Sequence, residues 1–171
     1  MELSEKIRNI QDFPKKGILF RDITPLLQNA NYLKKAIRLL AAPYRNEKID
    51  VVVSAEARGF ILGGGVAYEL GAGFVPVRKP GKLPYRVEKV SYELEYGEDT
   101  LEIHQDGVKK SDKVLVLDDL LATGGTAGAI CKLVEELGGK IVGVSFLIEL
   151  VSLKGRDRLK GYDVLSLIKY S

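Results

Sequence analysis

Apolar residues follow two rhythms along this chain. In some stretches they run almost without interruption and are rich in β-branched residues: IDVVVSA (49–55), GFVPVRK (73–79), KVLVLDD (113–119), KIVGVSFLIEL (140–150) and YDVLSLI (162–168). Such runs mark strands covered on both faces. Elsewhere the apolar positions return every three or four residues, as Leu33, Ala36, Ile37, Leu40 and Ala41 do between Asn29 and about Tyr44. That spacing predicts helices there, over ARGFILGGGVAYELG (57–71), over TAGAICKLVEELG (126–138), and in a short piece near LKGRDRL (153–159). Leu3, Ile7 and Ile10 predict a short amphipathic helix at the start. FPKKGILFRDITPLL (13–27) is broken by Pro14, Gly17 and Pro25, with an extended piece near Ile18 to Phe20.

One segment follows neither rhythm. Residues 79–90 are basic and contain Pro80, Gly81 and Pro84, and they pass into VSYELEYG and DTLEIHQD, where Tyr92, Leu94, Tyr96, Leu101 and Ile103 alternate with polar residues. A β-hairpin with a mobile basic front is expected over about 79–105. Strand and helix otherwise alternate, with no linker or repeat between them. The expectation is a single domain over residues 1–171 with an α/β fold. Its sheet is doubly wound, mostly parallel and flanked by helices, and the hairpin is inserted as a flexible lid beyond the strand ends.

Composition narrows the chemistry. A net charge of +3 is too small to leave a nucleic-acid or membrane footprint, so neither is expected as a partner. One cysteine, Cys131, and one histidine, His104, permit no disulfide framework and no Cys/His metal cluster. MELSEKIRNI lacks the apolar run of a signal peptide or membrane span, which favours the cytoplasm. Cys131 lies among helical apolar positions and reads as a small buried hydrophobe.

The stretch VLVLDDLLATGGT (114–126) carries the strongest chemical signal. The strand Lys113 to Leu117 is expected to deliver Asp118 and Asp119 at its end, and Ala122, Thr123, Gly124, Gly125 and Thr126 then turn into a helix. Unpaired N–H groups at a helix start favour a phosphate, the glycines allow close backbone approach, and the threonines add hydroxyls. There is no Gly-Lys-Ser/Thr and no Gly-x-Gly-x-x-Gly, so this is neither a nucleoside-triphosphate loop nor a dinucleotide fingerprint. Two upstream acids suit vicinal hydroxyls or a Mg²⁺ bound through water. Together they describe a ribose 5-phosphate. An Asp-rich strand end that merely caps the helix is the plainer alternative.

VLVLDDLLATGGT resembles the phosphoribosyl-pyrophosphate motif of type I phosphoribosyltransferases. FPKKGILFRDITPLL, EARGFILGG, VRKPGKLP and YELEYGEDTLEIHQD, in that order, resemble the adenine phosphoribosyltransferase family. The resemblance implies the type I fold with a small N-terminal hood segment, and a Mg²⁺-dependent transfer of phosphoribosyl from phosphoribosyl pyrophosphate to adenine, giving AMP and pyrophosphate. It implies a homodimer as well. By position, Ala122–Thr126 would hold the 5-phosphate, and Asp118 and Asp119 the ribose hydroxyls and Mg²⁺. Glu56, Ala57, Arg58, Arg78, Lys79 and Lys82 would hold pyrophosphate. The peptide matching Glu56–Ala57 is often cis in the family. Adenine would lie near Leu19, Phe20 and Arg21, read by backbone groups, with Leu120 on its other face. Mg²⁺ would be carried by the substrate, with no dedicated protein cage.

The resemblance also selects Glu95 for proton work on the lid, where the residues alone leave Glu93, Glu95, Glu98 and Glu102 equivalent. It places Tyr96 over the site and leaves His104 without a catalytic role. A 6-oxopurine specificity and a non-catalytic, DNA-binding regulator that senses phosphoribosyl pyrophosphate are the competing readings. ILFRD and Glu95 argue against the first. Glu95 and the absence of an added helix-turn-helix region argue against the second.

Overall fold

The five apolar runs form strands of one sheet, and their buried side chains enter two separate cores. The computed structural model describes residues 2–94 and 97–171. A 3-10 turn (Leu3–Lys6) leads into a two-stranded hairpin, β1 (Arg8–Gln11) and β2 (Leu19–Asp22). Two helices follow, α1 (Thr24–Gln28) and α2 (Ala30–Ala41). The main sheet begins with β3 (Val51–Ala55), α3 (Arg58–Leu70) and β4 (Gly73–Arg78), then the hairpin β5 (Val87–Glu93) and β6 (Glu98–His104). It is completed by β7 (Lys113–Leu121), α4 (Gly125–Glu136), β8 (Lys140–Leu150) and β9 (Val164–Tyr170).

Seven strands lie in the order β5-β6-β4-β3-β7-β8-β9. The five from β4 to β9 are mutually parallel, and the hairpin adds antiparallel to β4 at one edge. On β7, Val114 and Val116 point to the core closed by Ile130, Leu133 and Val134 of α4, whereas Leu115 and Leu117 point to the core closed by α2 and α3. Such double coverage is what makes a strand read as continuously apolar. From β3 the chain goes to β4 on one side, and β7 pairs with β3 on the other. Their first helices, α3 and α4, cover opposite faces. Beyond the carboxyl ends of β3 and β7 the connections diverge, and that crevice is where an open α/β sheet takes a ligand.

Three expectations need correction. The N-terminal helix does not form, because the segment is a 3-10 turn followed by a strand. Its apolar spacing is too short to carry a helix nucleus, and Arg8 instead reaches across the hairpin to Asp22 through Nε (2.9 Å) and Nη2 (2.6 Å). The helix from Asn29 ends at Ala41 and tightens to a 3-10 turn over Ala42–Tyr44, where Pro43 removes a backbone donor. Finally, β7 does not stop at Leu117. The eleven residues of β8 supply partners as far as Leu121↔Glu149, so Asp118 and Asp119 lie inside the strand. Among the described residues no helix is long and apolar enough to cross a membrane.

Candidate active site

Two strand ends build the site. β3 passes through the cis peptide Glu56–Ala57 into α3, which starts at Arg58. β7 passes through 122–124 into α4, which starts at Gly125. Between these turns lies a cleft of about 350 Å³. Its wall takes in Glu56, Ala57 and Arg58 from the first turn, Asp118 to Thr126 from the second, and Lys79, Tyr92, Leu94 and Asp99 from the hairpin side.

The 122–126 loop is seated backbone to backbone on Gly155. Gly124 has φ +83°, and a Cβ there would stand 2.4 Å from the Gly155 carbonyl oxygen. A Cβ on Gly155 would stand 2.4 Å from the Ala122 oxygen. Gly155 is in turn pinned by its neighbour Arg156, which donates to both carboxylate oxygens of Glu149 at 2.8 Å and to the Val164 carbonyl at 3.0 Å. On the other flank the Tyr92 ring lies against Gly125, and its hydroxyl is 3.2 Å from Thr126 Oγ1.

The two acids have different surroundings. Asp119 is buried and pairs through Oδ2 with Arg58 Nε at 2.7 Å. Asp118 accepts the Asp119 N–H at 2.9 Å, and a Cβ on Gly59 would stand 2.6 Å from its Oδ1. Burial, followed by the like charge of Asp119, pushes the Asp118 carboxyl well above the usual carboxylate range. Among the described residues no group of three or more His, Cys, Asp or Glu stands close enough to form a metal cage.

The cations already hold anions. The Glu56 carboxylate takes Lys82, the Lys79 N–H at 2.8 Å and, at 3.4 Å, Arg78. Lys79 Nζ pairs with Asp99. The Lys82 hydrogen bond draws Glu56 below its ordinary value, and the Lys79 hydrogen bond does the same for Asp99. Lys79 and Glu56 line the cleft, whereas Arg78 and Lys82 reach its rim through Glu56.

The residues expected to meet the base fall into two places. Leu120 lines the cleft. Leu19, Phe20 and Arg21 lie on β2, outside its wall. Phe20 is joined to it by the Arg58 guanidinium, 5.1 Å from the ring centre. The Arg21 side chain turns away, to the Tyr170 ring at 3.8 Å and the Asn9 amide oxygen at 2.5 Å. Glu95 and Tyr96 lie outside the described residues.

Sequence reasoning missed Tyr92, Asp99 and Gly155. Alternation puts Tyr92 on the apolar face of its strand. The register that sets it opposite Asp99 is a property of the paired hairpin. Gly155 carries no local signal, since the backbone it meets, at Ala122 and Gly124, is 33 and 31 residues away.

A sequence model of the phosphoribosyl transferase domain matches residues 22–170. The chain is 56% identical over all 171 residues, and 99% of the relative, to an adenine phosphoribosyltransferase of Clostridium botulinum. It superimposes on the crystal structure of adenine phosphoribosyltransferase from Thermoanaerobacter pseudethanolicus with a TM-score of 0.95 and 54% identity, covering 98% of each chain. The Saccharomyces cerevisiae adenine phosphoribosyltransferase, solved with adenine and an imino-altritol bisphosphate, gives 0.91 and 40% over 96% of each chain.

Proposed function

The chain belongs to the phosphoribosyltransferase family, and within it to the adenine phosphoribosyltransferases, and from that premise we propose how its cleft performs the reaction. The enzyme transfers 5-phosphoribosyl from phosphoribosyl pyrophosphate to adenine, giving AMP and pyrophosphate, a purine-salvage step. The observation that carries the assignment of roles is one cleft uniting a helix-start loop, two acids and a cation cluster.

The 5-phosphate sits on Ala122–Thr126 at the start of α4, where N–H groups and hydroxyls converge. The ribose hydroxyls face Asp118 and Asp119. Pyrophosphate lies toward Glu56, Ala57 and Arg58, with Lys79, Arg78 and Lys82 exchanging their carboxylate partners for its oxygens. Adenine enters between the β2 main chain near Leu19, Phe20 and Arg21 and the Leu120 side chain.

Mg²⁺ fits this donor set: one or two carboxylates beside substrate oxygens are what that ion takes. Asp118, with Asp119 behind it, would hold it, in part through water. Bound there, the ion neutralises charge on the leaving pyrophosphate. The C1–oxygen bond to pyrophosphate breaks as the bond from adenine N9 forms, through an oxocarbenium-like state. Glu95 takes the proton released from the imidazole ring, and Tyr96 closes over the site. We place the enzyme in the cytoplasm, a reducing compartment that suits its one buried free thiol. We take its working form to be a homodimer.

The test is AMP formation from adenine, phosphoribosyl pyrophosphate and Mg²⁺, beside hypoxanthine, guanine and xanthine. Turnover with adenine alone is expected, and Glu95→Ala should lower kcat by about 10²–10⁴-fold. Equal turnover of a 6-oxopurine, or an undiminished Glu95→Ala enzyme, contradicts the assigned roles.

A further inference from the structure

Every cation that the proposed reaction gives to pyrophosphate is already paired. Arg58 holds Asp119, Arg78 and Lys82 hold Glu56, and Lys79 holds Asp99. Asp119 and Glu56 have places of their own in that reaction, beside the ribose and in the pyrophosphate turn. Asp99 has none. Yet it lines the cleft, where the described residues bring four carboxyls, Glu56, Asp99, Asp118 and Asp119, against two cations, Arg58 and Lys79. A further negative charge in a cleft that takes a polyanion costs affinity.

Lys79 is fixed at one end and free at the other. Its N–H donates to the Glu56 carboxylate at 2.8 Å, one residue past the Arg78↔Glu102 pair that joins the end of β4 to β6. Its flexible four-carbon stem lets Nζ turn either to Asp99 or to an oxygen in the cleft. Asp99 is held independently of Lys79, since Oδ1 accepts the Thr100 N–H at 2.9 Å and Oδ2 the Tyr92 hydroxyl at 3.2 Å. When a pyrophosphate group takes Nζ, Asp99 is left facing it without its cation. Breaking the C1–oxygen bond leaves the electron pair, and so one more negative charge, on the departing group. The product therefore meets more repulsion from Asp99 than the substrate does. We infer that Asp99 is a positioning residue that competes with pyrophosphate for Lys79, drawing Nζ back and loosening the product more than the substrate. The inference rests on the reading that places pyrophosphate at Lys79.

Calorimetry and product inhibition on the full-length enzyme with Mg²⁺ test it. Asp99→Asn keeps the shape and removes the charge. Its amide oxygen can hold the Thr100 N–H, and its amide nitrogen can donate to Tyr92. This variant should bind pyrophosphate about five- to tenfold more tightly than the unaltered enzyme, and phosphoribosyl pyrophosphate only about twofold more tightly. Asp99→Glu restores the charge and should bring pyrophosphate affinity back toward that of the unaltered enzyme. Lys79→Ala should weaken pyrophosphate binding. If Lys79→Ala loses affinity but Asp99→Asn gains none, the inference is overturned and the reading beneath it stands. A gain as large for substrate as for product, or Asp99→Glu binding as tightly as Asp99→Asn, overturns it as well. Unchanged affinity in Lys79→Ala overturns the placing of pyrophosphate at Lys79, and the inference with it.

Discussion

Asp118 and Asp119 are adjacent and chemically identical, and the fold makes them opposites. Asp119 has the Arg58 guanidinium at 2.7 Å, while Asp118 is a half-buried residue whose carboxyl is desolvated beside the charge of Asp119. A carboxyl whose native pKa is raised binds its proton more tightly folded than unfolded. Its contribution is complete below the unfolded value near 3.9 and is lost as pH rises through the raised native value. Asp118 therefore opposes folding at neutral pH, a burden functional groups commonly carry. Glu56 and Asp99, whose values are lowered, act in the other sense and gain as pH rises. Asp118→Asn removes one contribution and leaves the others. Its thermal midpoint should exceed that of the unaltered protein above pH 5, and the difference should vanish toward pH 3, while kcat/KM falls. A difference between the two melting curves that does not change with pH would show that Asp118 is ionised like an ordinary surface carboxylate. The sequence motif sets both acids beside the 122–126 loop, and both line the cleft, but it does not separate their surroundings, since the Arg58 partner of Asp119 comes from a turn 61 residues earlier.

At the scale of elements, what could be read was what repeats within a few residues. The five buried strands and the helices α2, α3 and α4 follow from apolar period alone. The Gly71 position at φ +66°, where α3 ends, follows from glycine's freedom there. What could not be read depends on contact between distant segments. β7 runs to Leu121 because β8 pairs with it that far, and the chain start is a strand because β2 lies beside it. The loop's seat is the sharpest instance. The motif 122–126 carries the expectation of a phosphate, but its shape is set by Gly155 and by the Arg156–Glu149 pair. Gly155→Ala should push the Ala122 carbonyl away and lower kcat/KM for phosphoribosyl pyrophosphate on the order of 10²-fold, as a misplacement near 1 Å does. Arg156→Ala leaves Glu149, 4% exposed, without its charge partner, and should cost about 3 kcal/mol in urea unfolding. Gly155→Ala activity near that of the unaltered enzyme would separate the loop's shape from this segment.

At the scale of the molecule, both cores close around the sheet, yet the face of α2 and α3 away from it stays partly apolar. Tyr68 is 88% exposed and Ile61 48%, one turn apart from Gly64 and Gly65 on the same stripe of α3. Gly65 lets Ile37 of α2 approach so closely that a Cβ there would stand 2.4 Å from its Cδ1. The two helices thereby open a shallow groove of about 380 Å³ between Leu33, Ile37 and Tyr68. A scattered exposed apolar side chain needs no explanation, but a tyrosine beside an apolar groove fits a protein–protein contact. A stable pair of chains needs roughly 800 Å² from each partner, less than a tenth of the 9354 Å² that one chain exposes. One helix pair and its flanks can supply that. Light scattering on the purified protein should therefore give twice the 18.8 kDa of one chain. Ile61→Asp with Tyr68→Asp should return it to the single mass, while circular dichroism stays unchanged because neither side chain belongs to a core. A single-chain mass for the unaltered protein would remove the homodimer from the proposal. A variant that remains paired would move the contact to another face.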